Sequence, residues 1–208
     1  MNEHLVERTL RAFSDDLASS AAVPGGGSAA AYAGAMGAAL AAMVGRIAER
    51  KQQSEATTAL ISEADNLRSD FIRLVDDDSA AFARVSEAMK MPKATEEDKH
   101  ARTERIQSSL LAASRVPLEI ARTSRRLLDL CERTVQTAAS ATVSDVGVGA
   151  LLAETALRGA ALNVMINLAS VKDAAQVKSL SEDLDGAVDG AEEQRKRITD
   201  FVESRIAR

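Results

Sequence analysis

The sequence predicts an all-α protein: a multihelical array of about five to seven helices around a central Ala/Gly-rich helix, in a single domain over residues 1–208. Three observations carry that expectation. Good helix formers dominate, aromatics make up 2%, and only three prolines interrupt 208 residues. From Ala29 to Gly45 run 17 residues without a charge, directly after Pro-Gly-Gly-Gly-Ser at 24–28. From Ser54 to Met89 there is neither Gly nor Pro, and apolar residues recur at steps of three or four.

In chain order, residues 3–19 read as a first helix with Leu10, Phe13 and Leu17 on one side. Pro24 and the glycines after it read as a flexible turn that cannot start a helix, so Ser28 is expected as the N-cap of the next one. That helix, ending near Arg50-Lys51, divides into a ridge (Tyr32, Met36, Leu40, Met43, Ile47) and a nearly bare groove (Ala30, Gly34, Gly37, Ala41, Gly45, Ala48). A helix apolar all round is expected to be buried. A membrane span is set aside, because the segment is mostly Ala and Gly and no second candidate is seen. Two readings remain. Either the glycines serve packing alone, or the glycine-led N-terminus (Gly25, Gly26, Gly27, Ser28) also aims free N–H groups at a ligand oxygen.

The long helix from Ser54 carries a stripe of Leu60, Ala64, Leu67, Phe71, Leu74, Asp78, Phe82, Val85 and Met89. Asp78 is the anomaly at its centre, with Asp76 turned nearly opposite and Asp77 on the flank. A buried lone carboxylate costs several kcal/mol, so it must be paired or protonated. It is either a structural partner at a helix interface or an acid/base whose pKa burial raises.

Pro92 ends this helix, and Thr95 is expected to cap the next, with Glu96, Glu97 and Asp98 at its positive end. Lys93 and Arg102 read either as surface charges or as anion-binding groups near Asp78. Pro117 is expected to kink or restart the helix, and 135–143 to form a loop. Ser144-Asp145 opens the last core helix, whose face reads Asp145, Gly149, Leu152, Ala156, Gly159, Asn163, Asn167. The two amides need partners if buried, through a structural network or through a ligand. On a straight helix Asp145 and Asn163 lie roughly 27 Å apart at 1.5 Å per residue. One pocket uses both only if the helix breaks or a second subunit contributes, which points to a homodimer joined through small-residue helix faces. After Lys172-Asp173 a charged amphipathic helix closes the chain.

A net charge of −5 without a Lys/Arg block speaks against a nucleic-acid surface. The charged start MNEHLVERTL lacks a signal-peptide core, so a cytoplasmic, non-membrane protein is expected. The single Cys131 excludes an internal disulfide and a cysteine metal cluster, and His4 and His100 stand far apart, so no metal site is readable.

The glycine turn is followed, in order, by LVDDDSAAF (74–82), AMKMPKATEED (88–98), RVPL (115–118), SDVGVGA (144–150) and NVMINL (163–168). This set, over roughly residues 10–175, resembles the cyclodeaminase/cyclohydrolase family of folate one-carbon enzymes. The resemblance implies a tetrahydrofolate derivative as substrate, Asp78 as the catalytic acid/base, and chemistry that requires no metal or redox cofactor. It further implies that Lys93, Arg102 and the Gly25–Ser28 turn hold the substrate's anionic tail or polarise oxygen, while Ser144, Asp145, Asn163 and Asn167 line the site and orient the pterin. One departure is Ala138-Ala139, where the family pattern has Gly-Asn. With no formimidoyltransferase portion in the sequence, the favoured activity is methenyltetrahydrofolate cyclohydrolase. The alternatives are formimidoyltetrahydrofolate cyclodeaminase and, in another class, a non-catalytic folate- or partner-binding helical protein.

Overall fold

The structure, a computed structural model, describes residues 4–207. A single 3-10 turn (Leu5–Glu7) precedes seven α-helices: α1 (Leu10–Leu17), α2 (Gly26–Lys51), α3 (Glu55–Met89), α4 (Glu96–Thr137), α5 (Val143–Leu168), α6 (Ala174–Val188) and α7 (Ala191–Ile206). The described residues contain no strand. The expected all-α array around one Ala/Gly helix is what the chain forms.

That helix, α2, lies between α3 and α5 and runs antiparallel to both. A Cβ on Gly34 would meet the Phe71 ring at 2.4 Å and one on Gly45 would meet Ile61 at 2.8 Å, which sets the α2–α3 register. A Cβ on Gly37 would stand 2.9 Å from the Gly149 carbonyl, so α2 and α5 touch backbone to backbone. The bare groove of α2 is therefore filled inside the protomer, by α3 and α5, and is not a face between subunits. The ridge behaves the other way. Met36 and Met43 are exposed, because the side of α2 facing α3 and α5 is the one that admits close approach.

Several local expectations are corrected. The first helix breaks at Arg8, and Thr9 caps α1 through a bond from the Ala12 N–H; residue 3 lies outside the described residues. Phe13 packs on Tyr32, but Leu10 and Leu17 are exposed. Helix α2 begins at Gly26 with Gly25 as N-cap, so the glycines do start it, and Ser28 is a fully buried residue of the first turn. Pro117 does not interrupt α4, which runs 42 residues to Thr137. The carbonyl it deprives of a helical partner, Ala113 O, accepts instead from Asn167 Nδ2 of α5 at 2.9 Å. The loop before α5 is correspondingly short, 138–142, and α5 starts at Val143. The closing segment is two helices, α6 and α7, separated at Gly190 (φ 67°). In the stripe of α3, Val85 is buried as expected but Phe82 and Met89 are exposed, and Ala81 and Ala88 are buried in their place.

Thr95 caps α4 as expected and forms a reciprocal capping box with Asp98, and Ser54 caps α3 through a bond from the Thr57 N–H. Both α2 and α5 are long and apolar enough to cross a membrane, so α2 does have a second of its kind. Two-thirds of the apolar stretch of α2 is enclosed by the bundle, whereas α5 keeps an outward face on which Val148, Leu151, Leu162, Met165 and Ile166 are exposed together with Thr155 and Arg158.

Candidate active site

The antiparallel register brings the N-terminus of α2 against the second half of α3. Gly27 lies directly over Asp78: a Cβ there would be 2.1 Å from Asp78 Oδ1. Only glycine leaves room for the carboxylate at this point. Beside it, Ser28 Oγ is 2.9 Å from the Val75 carbonyl, 3.1 Å from Asp78 Oδ2 and 3.0 Å from Ser79 Oγ. The hydroxyl has one hydrogen for these three oxygens, so the protonation of Asp78 decides where it points. With Asp78 protonated, the acid donates to Ser28, which donates to Val75. With Asp78 ionised, Ser28 turns to the carboxylate.

Two opposing influences act on Asp78. Burial pushes its pKa above the ordinary carboxylate value, and the Ser28 hydroxyl and backbone N–H partly counter that. The first turn of α2 adds the positive end of a 26-residue helix. The result is a carboxyl whose affinity for a proton is raised while its anion still has donors waiting, the condition an acid/base needs. Its neighbours do other work. Asp76 accepts from the Leu5 N–H at 2.8 Å and lies 2.9 Å from His4 Nδ1, and Asp77 pairs with Arg73.

Beyond Asp78 and Gly26 the partners of α2 continue without it, α3 to Met89 and α5 to Leu168. The end of α2 therefore leaves a crevice between α3 and α5, at which Gly26 and Phe82 are exposed. Its walls are α3, with Phe82 exposed, and α5, where Asn163 stands 3.3 Å from the place a Gly26 Cβ would occupy. Its floor is α4, which packs Leu110 and Ala113 against Ala81 and Val85. Asn163 Nδ2 donates to Gly159 O at 2.8 Å, leaving its carbonyl oxygen to accept from elsewhere.

The structure thus brings together Gly25, Gly26, Gly27, Ser28, Asp78 and Asn163, and adds Ser79. The other candidates sit apart. Asn167 is occupied by Ala113 O. Arg102 donates to Met89 O through Nε (3.3 Å) and Nη2 (3.0 Å), capping the C-terminus of α3 with charge of the favourable sign. Lys93 is exposed in the α3–α4 connector. Because α5 is unbroken, Ser144 and Asp145 lie at its far end, beside the 138–142 loop. Ala138 O, at the departure from the family pattern, lies 3.5 Å from Arg205 Nη2 of α7. Cys131 is fully buried, and burial pushes its thiol up to about 12. Among the described residues no group of three or more His, Cys, Asp or Glu is placed to hold a metal. Ser79 gave no sign in the sequence, since its value depends on the α2–α3 register.

With this geometry in place, comparison with known proteins is specific. The family described as Formiminotransferase-cyclodeaminase matches residues 9–186. A methenyltetrahydrofolate cyclohydrolase of Methylorubrum extorquens is 38% identical over 202 residues, covering 95% of this chain and 97% of that protein. The pig formimidoyltransferase-cyclodeaminase is 36% identical over 209 residues, 99% of this chain but 39% of that larger protein. The crystal structure of formiminotetrahydrofolate cyclodeaminase from Thermotoga maritima superposes with a TM-score of 0.85 at 25% identity, covering 95% of this chain and 97% of that one.

Proposed function

The chain belongs to the formiminotransferase-cyclodeaminase family, and we propose that it is a cytoplasmic folate one-carbon enzyme, a methenyltetrahydrofolate cyclohydrolase. The observation that carries the reading is Asp78, a largely buried carboxyl held under the glycine-led start of α2 at the edge of an open crevice. Support for hydrolysis comes from the bacterial cyclohydrolase, which aligns over nearly the full length of both chains.

In the reaction, water adds to the cationic carbon bridging N5 and N10 of 5,10-methenyltetrahydrofolate. Asp78 takes the proton that the water loses, and the first-turn amides of α2 face the oxygen that becomes attached to carbon. The tetrahedral centre then breaks its bond to N5. Asp78 returns the proton to that nitrogen while the hydroxyl of the tetrahedral centre gives up its own proton, which passes to solvent as the C=O forms, so the cationic substrate and water yield neutral 10-formyltetrahydrofolate and one released proton. Asn163 orients the pterin from α5. Lys93 and Arg102, placed on or near the connector, remain outside this constellation.

A second reading is favoured by the Thermotoga structure and the pig relative: release of ammonia from 5-formiminotetrahydrofolate through the same tetrahedral carbon. Purified protein decides between them. Loss of methenyl absorbance above its spontaneous rate is expected, with slower ammonia release from the formimino compound; the reverse order assigns the cyclodeaminase activity. Neither activity would leave a folate-binding protein.

The reading includes a homodimer. The outward face of α5, with Met36 and Met43 of α2 beside it, is the exposed apolar surface best suited to a two-fold contact. Two α5 helices crossing antiparallel would carry the partner subunit's Asp145 toward this protomer's Asn163.

A further inference from the structure

Four phenylalanines and one tyrosine are the only aromatics in the chain. Phe13 packs on Tyr32 with ring centroids 5.6 Å apart, Phe71 is fully buried against Gly34, and Phe201 carries the Arg205 guanidinium 5.8 Å from its centroid. Phe82 differs. It is 45% exposed, joins neither hydrophobic cluster and has no aromatic partner among the described residues. The apolar stripe of α3 should bury it, and does so for Phe71 and Leu74 on the other side of Asp78. What uncovers Phe82 is the end of α2: the helix that covers this face stops at Gly26, level with Asp78.

Phe82 follows Asp78 by four residues, so the two side chains stand one turn apart on the same face, with Cβ atoms about 5–6 Å apart. A substrate carbon within reach of the Asp78 carboxyl must place the flat ring fused to it alongside Phe82. We infer that Phe82 is the platform on which the substrate's bicyclic ring and cationic bridge lie; this deepens the folate reading and rests on it. An aromatic face attracts the delocalised cation of a methenyl bridge. Hydrolysis removes that charge, so the same contact holds the substrate more strongly than the neutral product. Phe82 is thereby a specificity residue, favouring a cationic cyclic amidine over its opened form.

Because the chain has no tryptophan, Phe82→Trp creates a single reporter. Titration with 5-formyltetrahydrofolate, a stable folate, is expected to quench it saturably, while Phe201→Trp on α7 shows only the absorbance effect of the ligand. In the hydrolysis assay Phe82→Ala is expected to raise KM about 5- to 30-fold with kcat within about threefold, and Phe82→Tyr to restore KM. Equal signals from the two tryptophans, or an unchanged KM in an active Phe82→Ala protein, overturn the platform and leave the folate reading intact. A loss of dimer in Phe82→Ala with normal KM also overturns it and makes Phe82 an interface residue. Wild-type protein that neither turns over nor binds folates overturns both.

Discussion

Burial raises the proton affinity of Asp78, and one variant reads both its chemical role and its contribution to stability. Asp78→Asn should lower turnover by about 10²–10⁴-fold, as expected for loss of a general acid/base. Because folding raises the pKa of this group, the folded chain binds its proton more tightly than the unfolded chain does. The stability it contributes is complete below the unfolded value, about pH 3.9, and is lost as pH rises through the raised folded value. The melting temperature of Asp78→Asn relative to wild type should therefore climb with pH across that window, and a flat difference would place the carboxyl in ordinary solvent. Gly27→Ala tests the other side of the contact. Its methyl group would overlap Asp78 Oδ1, so activity should fall by at least tenfold with only a small change in melting temperature, because the carboxylate can swing toward the crevice. Asp78 itself was legible from helical spacing alone, since three-four periodicity needs no knowledge of neighbours. Gly27 and Ser79 were not, because what they touch depends on the register between two helices. Ser28 was misread as a cap for the same reason: the competing partner, Val75 O, is 47 residues away.

Among the helices, proline rules worked at Pro92 and failed at Pro117, and the difference is tertiary. Pro92 sits in an exposed connector, whereas Pro117 is buried and α5 provides a donor for the carbonyl it strands. The exchange can be tested as a cycle. Asn167→Leu should cost about 1–3 kcal/mol by leaving Ala113 O short of a donor. In a Pro117→Ala background, which returns the helical N–H, the same change should cost clearly less; equal costs in both would mean that Asn167 serves something other than this carbonyl. At the α2–α5 crossing, Gly37→Leu should lower stability by about 1–3 kcal/mol or more, visible as a lower melting temperature, since Gly149 O leaves no space for a side chain. Alanine-rich helices, and end signals such as Pro92 and the Thr95 cap, were readable because they are local. The sides they present were not, and the small face of α2 went to its own neighbours.

For the molecule as a whole, the proposed dimer makes α5 a shared element. Leu151→Lys, on the outward face and far from Asp78, should give a monomer by sedimentation and reduced turnover with Asp78 untouched; a fully active monomer would show each protomer to be self-sufficient. The all-α array was visible in composition and periodicity, but the location of the crevice was not, since it exists only where α2 stops short of its partners. That crevice has a consequence for how the protein is made. Its two walls come from distant parts of the chain, with Asp78 synthesised long before Asn163. During translation the complete glycine turn and aspartate motif leave the ribosome with one wall of their crevice still unbuilt. A nascent chain stalled before α5 therefore carries Gly27 and Asp78 without the Asn163 that faces them across the gap.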